Sequence, residues 1–121
     1  MKSDTENIIV VKSKAFALRS IKLYKYLIEE EREYVLSKQF LRSATSIGAN
    51  VREAIRGQSD ADFGAKMNIA LKEASETEYW LELMQESEYI SFDEGEVMLA
   101  YCRELLRILM AIVKTSFEKK K

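Results

Sequence analysis

Two apolar heptad stripes, separated by a short polar break, constrain this chain more than anything else in it. Phe40, Ala44, Ile47, Val51 and Ala54 recur at alternating steps of four and three residues, and so do Phe63, Met67, Ala70, Ala74, Thr77, Leu81 and Met84. Such spacing keeps one face of an α-helix apolar, and two such faces bury each other when helices lie side by side. The break Gly57-Gln58-Ser59-Asp60 has room only for a turn, so the two helices are antiparallel neighbours with Ser59 or Asp60 as the cap of the second.

The flanks extend the pattern to four helices. Ser13 is read as the N-cap of a first helix running to about Glu31, with Ala17, Ile21, Tyr24 and Ile28 as its core stripe, widened by Phe16, Leu18 and Leu27. The acidic run Glu29–Glu31 opposes the helix dipole, so fraying is expected near Arg32 and a loop to Leu36. Ser37 is read as the cap of the second helix, and Ser91 with Glu94 forms a capping box for the fourth. The fourth carries Val97, Tyr101, Leu105, Ile108 and Ile112. The expectation is an all-α, antiparallel up-down-up-down left-handed four-helix bundle, with helices at about 13–31, 37–57, 60–88 and 92–117. Residues 1–12 are read as an ordered arm, since Ile8–Val11 would be costly in water, and 119–121 as a basic tail.

Composition narrows the chemistry. The 121 residues make one domain, able to bury roughly two thirds of its chain surface. Proline is absent, so no helix is forced to kink. Histidine is absent too, which removes the usual neutral-pH general base, Ser/His and Cys/His nucleophile pairs, and most zinc sites. The single Cys102 lies among Leu99, Leu105 and Leu106 and reads as a buried, reduced thiol. Glu73, Glu76 and Glu78 are the carboxylates to weigh for a cation, but a di-metal bundle site wants Glu-x-x-His pairs on facing helices. No catalytic residue, metal site or cofactor is expected, and the chain is not read as an enzyme. With no signal peptide and no apolar run near membrane-spanning length, a cytoplasmic location and no membrane partner are expected.

The third helix carries a second heptad series behind its core stripe: Lys66, Ile69, Glu73, Glu76, Trp80 and Leu83, with Tyr79 beside it. A broad core stripe with wet charges is the bland reading; a subunit interface is the sharper one. Helix two offers a surface to match, with Arg42, Arg52 and Arg56 on one outward stripe, Asn50 on another, and small residues at 43, 46, 48 and 49 that would admit a second backbone. Helix two is net +3 and helix three, with eight acids against Lys66 and Lys72, net −6. Bonds from helix-two arginines to Glu73 or Glu76 are expected, within or between chains.

A basic flank is the other candidate. Lys12, Lys14, Arg19, Lys22 and Lys25 occur with no acid between Asn7 and Ile28, and the start of helix one should lie near Arg103, Arg107 and Lys114 of helix four. Nucleic-acid binding needs a concentrated positive field more than a positive total, and the total here is −1. The bland alternative is a solvated lysine face.

The strings Ser46-Ile-Gly-Ala-Asn50 and Lys72-Glu-Ala-Ser-Glu-Thr-Glu-Tyr-Trp-Leu81 resemble a bacterial family of four-helix bundles named for proteins encoded in intervening sequences of large-subunit ribosomal RNA genes. The resemblance covers nearly the whole chain. It implies a cytoplasmic homo-oligomer, typically a five-membered ring, and kinship to the accessory protein of diversity-generating retroelements. That relative is strongly basic and engages nucleic acid; this chain departs from it in charge. The expected partner is therefore the protein itself, in a scaffold or interaction role, with RNA, DNA or a nucleic-acid-bound protein as the alternative.

Overall fold

A computed structural model describes residues 4–118 as four α-helices: α1 (Asp4–Glu29), α2 (Leu36–Ile55), α3 (Asp60–Glu86) and α4 (Phe92–Glu118). Each packs on its neighbours in the chain, α4 returns to α1, and the backbones of the diagonal pairs stay apart. This is the up-down-up-down arrangement that short connections impose. The basic tail at 119–121 lies outside the described residues.

The two central helices follow their heptads. Phe40, Ala44, Ile47, Val51 and Ala54 of α2 are buried, as are Met67, Ala70, Ala74, Thr77, Leu81 and Met84 of α3, while Phe63 is half-buried. Ser59 caps α3, its hydroxyl accepting from the Asp62 N–H at 3.1 Å. Ser91 does the same for the Glu94 N–H, also at 3.1 Å. The helix ends fall within two residues of expectation on α2 and α4. α3 stops at Glu86 because Glu88 turns left-handed (φ 67°), and the Tyr89 N–H then returns to the Met84 carbonyl at 2.9 Å.

Helix α1 departs from the reading. No arm precedes it over residues 4–12, which are its first turns. Ser13 is not a cap but a buried residue in mid-helix, its hydroxyl donating to the Val10 carbonyl at 3.3 Å. The core stripe is Ile9, Ser13, Phe16, Ser20, Leu23 and Leu27 rather than Ala17, Ile21, Tyr24 and Ile28. The cause is chemical. Ser13 and Ser20 satisfy their hydroxyls on their own helix, Ser20 on the Phe16 carbonyl at 2.8 Å, so they occupy core positions that an apolar count passes over. Leu18 and Ile21 are exposed instead. In α4 the stripe likewise runs through Met98, Leu99, Cys102, Leu105, Leu109 and Ile112, leaving Val97 and Tyr101 exposed.

The entry to α2 is also built differently. Glu33, not Ser37, is its cap: the buried carboxylate accepts from the N–H groups of Val35, Leu36 and Ser37 at 3.1, 3.1 and 2.7 Å. The Ser37 hydroxyl donates back to the Glu33 carbonyl at 2.7 Å. Burial alone would raise the Glu33 carboxyl, but the three donors outweigh it and hold it below its ordinary 4.5.

Candidate interaction surface

Two arginines frame the acidic helix α3. Arg42 of α2 reaches Glu73 at 3.2 Å and Glu76 at 2.7 Å, and Arg103 of α4 reaches Glu78 at 2.8 Å and Glu82 at 3.3 Å. The expected helix-two arginine bonds thus form within one chain, through Arg42. Each arginine serves two carboxylates, so each cluster keeps a net negative charge. Glu73 and Glu76 turn toward α2 while Glu78 turns toward α4. These carboxylates are therefore engaged and divided between two edges, and among the described residues no group of three or more His, Cys, Asp or Glu is placed to hold a metal.

Between the two clusters α3 shows its outer face. Ile69 is 40% exposed and Tyr79 54%. Trp80 is half-buried against its own core, with its indole N–H donating to Glu76 at 3.2 Å and its ring tilted on Tyr79 at 5.4 Å, and Leu83 is half-buried. The second series is thus part core edge and part open surface.

Helix α2 offers less than its sequence suggested. No large apolar side chain of α2 is exposed. The Asn50 amide donates to the Ser46 carbonyl of its own helix at 2.9 Å. Two of the small residues serve contacts within the chain: Ser43 meets Thr77 of α3 with hydroxyl oxygens 2.8 Å apart, and Gly48 faces the backbone of Ser13 on α1, while Ala49 stays exposed. Arg52 and Arg56 line a shallow cleft at the α2–α3 turn, shared with Gln58, Asp62 and Lys66. Lys66 reaches Glu53 at 3.4 Å.

The basic flank is split. Arg103 faces α3, and Arg107 and Lys114 follow it on the same side of α4 at steps of four and seven. The edge of α4 that meets α1 carries Tyr101 and Glu104 instead. Glu104 binds Lys12 at 3.2 Å, and the Arg19 guanidinium lies 4.2 Å from the Tyr101 ring centre. Lys14, Lys22 and Lys25 remain exposed on α1.

Sequence reasoning missed what stands between those lysines. Val11, 67% exposed, and Leu18, 59% exposed, share the outer face of α1 with Ile21, giving the heptad series Val11, Lys14, Leu18, Ile21, Lys25. The three-and-four spacing was the available signal, obscured because Leu18 and Ile21 were drawn into the core stripe. Cys102, by contrast, is where it was expected: buried, donating to the Ala74 carbonyl at 3.3 Å, its thiol pushed up to about 12 by burial and by the charge of Glu78.

Comparison with known proteins decides the family. The chain matches the 23S rRNA-intervening sequence protein description over residues 5–111. It belongs to that family. A crystal structure of a protein of unknown function, from the S23 ribosomal protein family of Bacteroides thetaiotaomicron, is 52% identical over 91% of this chain and 98% of its own, with a TM-score of 0.89. No curated protein matches. The intervening-sequence family is one of unknown function and is not a known enzyme family. No helix among the described residues is long and apolar enough to cross a membrane.

Proposed function

We propose that this intervening-sequence protein is a non-enzymatic, cytoplasmic, homo-oligomeric scaffold whose copies associate through the outer face of α3. One observation carries the reading: Ile69 and Tyr79 stand open to solvent between two carboxylate clusters that their arginines only half neutralise. Apolar side chains inside a charged frame favour a protein partner, since the apolar centre supplies affinity and the charged rim sets register. The engaged state of the acidic and thiol groups weighs against a catalytic role. Glu73, Glu76, Glu78 and Glu82 are tied to arginines, and the thiol is too deeply buried and too weakly acidic to be a nucleophile at neutral pH. Size-exclusion chromatography with light scattering tests the reading. A mass that is a multiple of 14.0 kDa and falls on dilution supports it, and a monomer at every concentration rejects it.

A second reading has one observation in its favour: Lys14, Lys22 and Lys25 form an exposed cationic strip on α1 with no acid on that helix between Asn7 and Ile28. The family's link to ribosomal RNA genes adds weight to an RNA partner. A gel shift with structured RNA across a salt series tests it. Affinity that survives Lys14→Glu with Lys22→Glu and Lys25→Glu removes the strip from consideration.

A further inference from the structure

Two connections share one end of the bundle, residues 30–35 between α1 and α2 and residues 87–91 between α3 and α4, and both run against the physics of helix ends. A helix C-terminus is the negative pole of its dipole and favours cations. Yet Glu29 ends α1 with Glu30 and Glu31 following, Glu86 ends α3 with Glu88 following, and neither helix has a base in its last turn. Glu88 also stands at a left-handed position (φ 67°) that favours glycine or asparagine. Over residues 29–38 and 86–96, nine acids stand against two bases, a net −7 that leaves +6 for the rest of a chain whose total is −1.

The same end holds apolar side chains in water. Val35, 71% exposed, and Phe92, 68% exposed, are the most open large hydrophobic side chains among the described residues, and Tyr34 is exposed next to Val35 in the chain. Val35 occupies the N-cap position of α2 without making a side-chain hydrogen bond there, since Glu33 does the capping. Phe92 opens α4 directly after the Ser91 cap.

We infer that this end of the bundle is a docking surface for a basic segment of another protein, rich in Arg or Lys and carrying apolar side chains. Sign selects the occupant. A net −7 repels RNA, DNA and acidic proteins alike. The carboxylates do not converge: among the described residues no three are placed to hold a metal, so the match is a polypeptide whose cations are spread out as well. The open rings of Tyr34 and Phe92 offer guanidinium groups a face to stack on, as the Arg19 guanidinium does over Tyr101 within this chain. Acids kept where they oppose the helix dipole cost the fold, and a cationic partner accounts for them. The inference needs no second copy of the chain, so it stands apart from self-association.

Selection from a displayed library of random short peptides tests this, followed by fluorescence anisotropy of the selected peptides across a salt series. Those peptides should be basic and apolar, with affinity that falls as salt rises. Tyr34→Ser/Val35→Ser/Phe92→Ser should weaken binding by about tenfold or more. Glu29→Gln/Glu30→Gln/Glu86→Gln should also weaken it, yet leave the urea midpoint unchanged or higher, because it relieves two helix C-termini. A merely structural role would not give that pairing. Val11→Ser, as exposed but nearer the opposite end of α1, should bind as the wild type does. Circular dichroism verifies the fold, and Phe92→Ser alone carries the test if the triple serine variant unfolds. A library that yields no peptides or acidic ones, or peptides that hold both triple variants as tightly as the wild type, overturns the docking surface. A lowered midpoint in the glutamine variant returns those acids to the fold and overturns it too.

Discussion

The α2–α3 seam and the α1–α4 seam are built to different standards. Across α2 and α3, small residues and full burial bring the helices together: Phe40, Ala44, Ile47 and Val51 meet Met67, Ala70, Ala74 and Leu81, a buried Ser43–Thr77 hydrogen bond crosses the seam, and Arg42 clamps it from outside. Across α1 and α4 the contact is thinner. An open cleft of about 330 Å³, lined by Arg19, Lys22, Tyr26, Glu94 and Val97, separates the helices near one end. Large apolar side chains such as Val11, Leu18, Val97 and Met110 remain in water on these two helices. In a molecule this small, the first seam can hold the fold while the second leaves surface for other uses.

The largest expected effect would break this contrast if it failed. Phe40→Ala should cost about 3–5 kcal/mol of unfolding free energy, read from the denaturant midpoint, because a fully buried ring leaves a cavity. Leu18→Ala on α1, exposed, should stay within about 0.5 kcal/mol in the same measurement. Similar losses at the two positions would erase the distinction.

Thr77→Val sharpens it next. It leaves the volume nearly unchanged but removes the hydroxyl shared with Ser43 and with the Glu73 carbonyl, 2.7 Å away, so a loss of about 1–2 kcal/mol is expected. Glu33→Ala should cost about 1–2 kcal/mol by freeing three N–H groups at the start of α2. The wild type carries the matching pH signature. A carboxyl held lower in the folded than in the unfolded chain stabilises the fold above its unfolded value, so this contribution should fade as pH falls below about 4.5 and be absent from Glu33→Ala. The smallest effect is Arg42→Ala: its ion pairs are largely exposed, so about 0.5–1 kcal/mol is expected at low salt and less at high salt.

The same contrast explains what could be read in the residues. Where a helix buries one stripe and the rest is polar, as α2 does, periodicity locates the core to the residue. Helix α1 has apolar residues on several sides and two serines inside, so counting apolar positions rotated its buried face by about one step. Glu33 was missed because a carboxylate four residues before a serine carries no capping signature; only the fold of the 30–35 loop aims it at the three N–H groups. The separation of the α4 cations from those of α1 was hidden for a related reason. Helical spacing shows that Arg103, Arg107 and Lys114 share a side, but the neighbour on that side, α3 rather than α1, is set by packing.

The account stands on the claim that the exposed apolar residues of α3 serve association and not the fold. Tyr79→Glu tests it most directly, with mass by light scattering at high concentration and the urea midpoint measured where the wild type is fully dissociated. The prediction is a mass of 14.0 kDa for a variant whose midpoint matches the wild type. An unchanged assembly with a lowered midpoint would contradict it.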